Sequence, residues 1–520
     1  MKMRISVTIE NEDESAFTEA TTREFSIPGV EAFIGPEVFD QVFEQYEREA
    51  LEARNSVMKE ASEKYVSEVG KKKTQSEAER QAGELIARPK EYSIEAEIGQ
   101  LEIETYEIKK GSKKLFSTKR DVFPETGPRE AHKSVCFREL ALLYPCDESY
   151  RKSAEKINRA LRRKEGQQVQ ARTLANLVER EGDQLAASIA KKAECLLEAS
   201  GFHPNGAIKS QKKVFEVINE EEVRFPREQV CHMIEELNDG LIKEKQIDIA
   251  ELHETFEDPS AIKANISIDD VCCKKQKAEG RKKGSPSKEK REMVNNTVVH
   301  IQNKESKVYT AVSPTVSQMM PIVLAFLLSN DLLSQPGSLV FFTDGARDLR
   351  KAIQDTFHFI PFKIILDWFH LKKKGKELLS MAISGKAVKN QILTELLAWL
   401  WLGKFERAIQ LLREVSQESI KNYKELRNLI NYLERNSSCI PCYALRNKLG
   451  LRTSSNPVEK ANDLLVSHRQ KQNGMSWSPD GSTSLATLTA LCRNAEDHQW
   501  FLNQSIRFTF PDRKQVLPAA

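Results

Sequence analysis

The chain lacks any long hydrophobic run. Its most apolar stretch, Met319 to Leu328, falls far short of the roughly 20 residues that a membrane-spanning helix needs, so no bilayer span is expected. An apolar signal core is missing too. Met1-Lys-Met-Arg-Ile-Ser leads instead into an acidic, strand-like segment, which reads as a cytoplasmic protein. The nine cysteines are odd in number and show no regular framework, which argues against disulfide scaffolding and fits thiols in a reducing compartment. Cys439-Ile-Pro-Cys442 has zinc-knuckle spacing, but no second Cys or His pair is spaced to complete a tetrahedral site. A strong excess of one charge is also absent. With a net charge of only +3, any affinity for nucleic acid must come from local basic patches.

What remains is the composition of a soluble globular protein, 40% apolar and 30% charged. At 520 residues it exceeds one ordinary core, so several domains are expected. Residues 1–130 mix alternating strands (Arg4 to Ile9, Tyr92 to Ile98, Leu101 to Tyr106) with a charged helix from Pro36 to about Arg88, and Gly99-Gln100 reads as a hairpin turn. Residues 131–258 read as helical. Within them, Ser149 to Leu161 and Ala171 to Gly182 form two short helical patterns joined across Gly166, as in a helix-turn-helix with Arg172, Asn176 and Arg180 on its second helix. The part after residue 186 looks charged and connective.

From residue 259 to 370 the pattern changes. Strands are expected at Ile266 to Cys272, Thr297 to Gln302 and Lys307 to Val312, then a helix from Pro314 to Asn330, a strand from Ser338 to Thr343, a helix from Ala346 to Phe357 and a strand from Phe362 to Leu366. Three strands, helix, strand, helix, strand is the order of an RNase H-like core, an α/β fold with a mixed sheet. Residues 371–449 read as an all-α insertion, and 450–520 as the C-terminal part of the core. The expected fold class is therefore multidomain α/β plus α. Between the first two strands lies a basic loop that includes Lys274, Lys275, Arg281 and Lys282, suited to phosphates or simply solvated. Trp399 and Trp401 in the insertion read as packing residues, with stacking on an unpaired base as the alternative.

Three carboxylates stand where such a fold would gather them. Asp269 or Asp270 ends the first strand, Asp344 follows the fourth, and Glu459 lies where a late helix begins. Phosphodiester cleavage without a protein nucleophile calls for two divalent cations, and Mg²⁺ or Mn²⁺ takes carboxylate oxygens and keeps its waters, so two or three acids suffice. The spacings of 75 and 115 positions are weak evidence by themselves.

The residues around the acids are more specific. Thr343-Asp344-Gly345-Ala346, Ile365-Leu-Asp367-Trp-Phe-His370-Leu, Ser455-Asn-Pro-Val-Glu459-Lys-Ala-Asn462 and Arg469-Gln-Lys471-Gln-Asn-Gly-Met-Ser-Trp477 together resemble the catalytic region of bacterial insertion-sequence DDE transposases of the mutator-like group, over about residues 260–500. The resemblance implies catalytic and metal-binding roles for Asp269, Asp344 and Glu459. Asp269 is favoured as the first acid and Asp270 is its alternative, because relatives carry Asp-Gly there. It gives His370 the place of the motif histidine, at the scissile phosphate or holding the acids, and leaves Asp367 as a structural anchor or auxiliary acid where many relatives have Cys. Arg469 and Lys471 become candidate DNA-end contacts. The implied activity is metal-dependent cleavage and strand transfer on double-stranded DNA, at terminal inverted repeats and a target. The implied assembly is a homodimer or larger, with the protein at the bacterial nucleoid.

Overall fold

The computed structural model describes residues 2–9, 19–26, 36–81, 84–85, 89–118, 121, 132–163, 165–218, 223–252, 256–277 and 292–511. The fold is mixed α/β, in two compact units, Met1–Leu174 and Ala175–Ala520. No helix among the described residues is long and apolar enough to cross a membrane.

In the first unit the helix Pro36–Gln81 is joined by short antiparallel strands. Lys90–Ala96 pairs with Gly99–Thr105, and the alternation of Tyr92, Ile94 and Ala96 with charged or polar neighbours turns one face inward to meet Leu101, Ile103 and, from the long helix, Val66. The hairpin turn is Glu97-Ile98, not Gly99-Gln100. Gly99 belongs to the second strand, where it pairs with Ala96. The helix Tyr150–Ala160 is capped by Ser149, which accepts from Lys152 N. The turn after it is clamped by Asn158, whose side chain accepts from Val169 N at 2.8 Å and donates to Val169 O at 3.0 Å.

The helix that starts at Ala171 does not stop at Gly182, as its sequence suggests, but runs to Ala199. Gly182 is there for close approach. A Cβ at this position would lie 2.4 to 2.6 Å from Ser484 Cβ, Cα and O, so the glycine lets the helix pack directly on the chain at Ser484. Gly182→Ala is accordingly expected to destabilise the protein by about 1–3 kcal/mol, measured by denaturant unfolding, although alanine is the better helix former. An unchanged midpoint would refute the contact.

The second unit is organised by a five-stranded sheet. Its strands in chain order are Ile262–Lys274, Met293–Asn303, Val308–Ser313, Ser338–Thr343 and Phe362–Leu366, and their spatial order is third, second, first, fourth, fifth. The first three pair antiparallel, while the fourth runs parallel to both the first and the fifth. Ser338–Thr343 is buried at every residue, which explains its unbroken apolar run. One sheet face carries Phe341, whose ring lies 5.0 Å from that of Phe357 on the helix Arg347–Phe357. The apolar stretch around Met319 to Leu328 is the buried helix Val316–Ser329, capped by Thr315.

The other face does not end at an independent helical insertion. Val340, Phe342, Ile365 and Leu366 of the sheet share one apolar cluster with Leu371, Leu396, Leu412, Leu433, Leu445 and other residues of the helices Trp368–Ala382, Lys386–Trp401, Phe405–Arg413, Tyr423–Arg435 and Tyr443–Lys448. Val230, Ile234, Ile247 and Phe256 enter the same cluster. The stretch that reads as connective is thus core, because its few apolar residues recur at helical spacing on Arg227–Asn238 and face the cluster. Expected boundaries near 259, 371 and 450 cut through this one core. Trp401 stacks on Tyr443 and meets Trp368 edge-on at 4.9 Å, and Lys245 lies over the Trp399 ring, so both tryptophans are packing residues. Cys439 and Cys442 are both buried.

Candidate active site

Asp269 stands on the central strand of the sheet. The parallel register sets Phe342 against Ser267, so Asp344, which directly follows the end of the neighbouring strand, comes near enough to Asp269 for its charge to be felt there. Val271, two residues past Asp269, packs with Val458 and Ala461 of the helix Asn456–Asn462, which therefore crosses the same face. With Val458 and Ala461 turned inward, Glu459 and Asn462 project toward Asp269. Asn462 Nδ2 donates to Asp269 Oδ2 at 2.6 Å, and Asp270 N donates to Asp269 Oδ1 at 2.9 Å. Asp270 itself points to the opposite face, exposed, where Thr297 Oγ1 donates to it at 2.6 Å. The alternation of a strand thus separates the two candidates for first acid.

The turn after the fourth strand is built around Gly345, at φ +84°, where a Cβ would lie 2.9 Å from Leu366 Cδ1 and 3.0 Å from the Asn436 amide. Asp344 is held by its neighbours. Its Oδ1 accepts from Ala346 N at 2.8 Å, and its carbonyl accepts from Tyr432 OH at 2.9 Å.

Asp367, directly after the fifth strand, is fully buried. It caps the helix Trp368–Ala382 by accepting from Phe369 N and His370 N, and its other oxygen accepts from Ser455 N at 2.6 Å. Trp368 N also donates to Thr453 O at 3.2 Å. Between structural anchor and auxiliary acid, the geometry favours the anchor for Asp367: one carboxylate fixes both the turn that aims His370 and the loop that launches the helix of Glu459. His370 Nδ1 lies 3.6 Å from Asp367 Oδ2, and its Nε2 meets Glu459 Oε1 at 3.0 Å. After Asn462 the helix widens into a π-helical turn, Asp463–Ser467, a feature often found beside functional sites.

The result is a convergence of Asp269, His370 and Glu459, with potential ligand atoms all within 4.8 Å of one another, and it is the one such group among the described residues. Burial pushes the Asp269 carboxyl up to about 6, with Glu459 and Asp344 adding to the rise and His370 opposing it. Burial pulls the His370 imidazolium down, but Asp367, Asp269 and Glu459 outweigh it and hold His370 above its usual value. Both shifts favour bound protons in the native state. Stability from them is present at low pH and is lost as pH rises through the raised native values. The metal-free protein should therefore lose on the order of 2 kcal/mol between about pH 4 and about pH 6 as Asp269 ionises, and Asp269→Asn should flatten that slope in urea unfolding. An equal slope in the variant would discard this electrostatic picture.

The expected DNA-binding residues differ in exposure. Arg172 and Asn176 are exposed, and Arg180 is half-buried. Lys274 is half-buried, and Lys275 is paired with Glu292 at 2.6 Å. Arg281 and Lys282 lie outside the described residues. Lys471 is exposed, but Arg469 is buried, its guanidinium 5.0 Å over the Trp477 ring, and serves packing instead of presenting charge at the surface. Sequence reasoning assigned no role to Asn462, although its position three residues after Glu459 on one helical face was the available signal. The chain matches no protein-family model and no curated protein.

Proposed function

We propose that this protein is a DNA transposase of an insertion sequence, with an RNase H-like core that binds terminal inverted repeats and carries out metal-dependent strand cleavage and strand transfer. The observation that carries this reading is the convergence of Asp269, His370 and Glu459, with Asp344, just past the neighbouring parallel strand, close enough to help raise the Asp269 carboxyl. The strand order supports the core assignment, since Asp269 stands on the central strand and Asp344 directly follows its parallel neighbour. The helix pair around Gly166, with Arg172 exposed on the second helix, supports a helix-turn-helix role in end recognition.

The donor set fits Mg²⁺ or Mn²⁺. Three carboxylates offer hard oxygens, and a cation beside the buried Asp269 would offset the cost of ionising it. Asp269, Asp344 and Glu459 would hold the ions. Such ions supply an activated water or 3′-hydroxyl and stabilise the leaving oxygen. The chain's own part is placement. Asn462 orients Asp269, Asp367 orients His370, and His370 at the Glu459 carboxylate is positioned to steer it or to donate to a phosphate oxygen. Handling two ends together calls for a homodimer or larger assembly on DNA.

The test is strand transfer by purified protein with Mg²⁺ and labelled DNA carrying the ends that flank its own gene. Joined products are expected. Cleavage without joining would instead indicate a nuclease on the same core, and end-specific binding without either product a binding-only descendant.

A further inference from the structure

The helix that begins at Asp367 presents two unlike sides. Trp368 and Leu371 turn into the core, where Trp368 packs on Trp401 and Tyr443. Phe369, one residue before His370, is 45% exposed, with its ring 5.8 Å from the His370 imidazole. Burying a phenylalanine is worth about 1.5–3 kcal/mol, and this core is already filled without it, so its exposure beside the acidic group calls for another explanation. Lys372, Lys373 and Lys376 follow at three, four and seven residues from Phe369, which places them along the same helical face. All three are exposed and none forms an ion pair among the described residues, while Glu377 is the one acid of the helix. The stripe from Phe369 to Lys376 covers about 10 Å, the axial rise of about three nucleotides of one strand.

We infer that this face is the track on which one strand of the DNA substrate leaves the acidic centre, with Phe369 stacking on an unpaired base beside the scissile phosphate and Lys372, Lys373 and Lys376 following the next phosphates. The inference rests on the reading of the centre as one that acts on DNA phosphodiesters. Its chemistry is that of single-strand binding, in which an aromatic face takes a base irrespective of sequence and a row of cations takes the backbone. A paired base, stacked on both sides, has no face to offer Phe369, so the track selects a frayed or unpaired flank over an intact duplex. The cations also offset the repulsion between incoming phosphates and the carboxylates next to them.

The probe is a forked duplex that is paired over the end of the element and unpaired on the flank, with 2-aminopurine at the first unpaired position. It is compared with the fully paired duplex, using the full-length protein, for both binding and Mg²⁺-dependent cleavage. Wild type should prefer the fork and quench the probe. Phe369→Ala should weaken fork binding by about 5- to 100-fold and abolish quenching, and Phe369→Trp should restore both. Lys373→Gln and Lys376→Gln should each reduce the slope of log Kd against log salt by about 1. Wild-type affinity for the fork in Phe369→Ala, with unchanged salt slopes in the lysine variants, overturns the track. If wild type cleaves in that case, the reading of the centre survives alone. If the variants lose fork binding while wild type shows no Mg²⁺-dependent cleavage, the track stands and the reading of the centre falls.

Discussion

Asp269→Asn and Glu459→Gln are each expected to lower Mg²⁺-dependent DNA cleavage on the order of 10³-fold or more while leaving DNA binding intact. Each substitution keeps the shape of the side chain and removes one anionic oxygen pair from a centre in which the ligand atoms lie within 4.8 Å of one another. On the proposed reading, several kcal/mol of transition-state charge stabilisation would depend on cations held there, and tenfold in rate corresponds to about 1.4 kcal/mol. The two variants separate on stability. Asp269 is a carboxyl whose ionisation burial opposes, so Asp269→Asn should be as stable as wild type or more so near neutral pH. Glu459→Gln keeps a polar contact to His370 but removes the anion, so it should lower the His370 pKa, which is readable by NMR titration. Full activity in either variant would remove that residue from the centre, and loss of binding as well as cleavage would point to damaged folding instead of lost chemistry.

Most of the sheet is legible in the sequence because strand alternation and turn residues are local signals. Ser338–Thr343 and Phe362–Leu366 fall where β-branched and aromatic runs end in Asp344 and Asp367. The separation of Asp269 from Asp270 is legible in principle from period two, yet a single residue of register decides it, and register is set by pairing with Thr297 and Val298 across the sheet. Other features are set by distant parts of the chain. Nothing local announces that Gly182 lies inside a helix, since its reason is contact with Ser484, some three hundred residues on. The burial of Arg469 is likewise invisible until Trp477 folds over it, because an arginine in a basic segment looks exposed by composition. How the helical segment packs on the sheet is likewise not a local signal. Helical periodicity marks each helix after residue 371, but whether their apolar faces close on one another or on Val340 and Phe342 of the sheet is a tertiary choice.

Asp367→Ala is expected to destabilise the protein by about 3 kcal/mol or more and to lower cleavage by about 100-fold, the largest effect of any substitution at a residue that contacts neither substrate nor metal. The carboxylate is fully buried and accepts from three backbone N–H groups, those of Phe369, His370 and Ser455. Alanine leaves all three without an acceptor where water does not reach, and it removes the cap of the helix that aims His370. Ser455 N belongs to the loop four residues ahead of Glu459, so the same loss loosens two active groups at once. A purely structural role would lower stability and leave the surviving folded fraction fully active. A positioning role predicts that the rate per folded molecule falls as well, at temperatures where unfolding is negligible. Asp367→Asn separates the contributions, since one amide oxygen can keep the contact to Ser455 or the helix cap but not both. It should therefore retain more stability than alanine and recover only part of the rate, because the pairing of His370 with Glu459 needs both ends of the clamp.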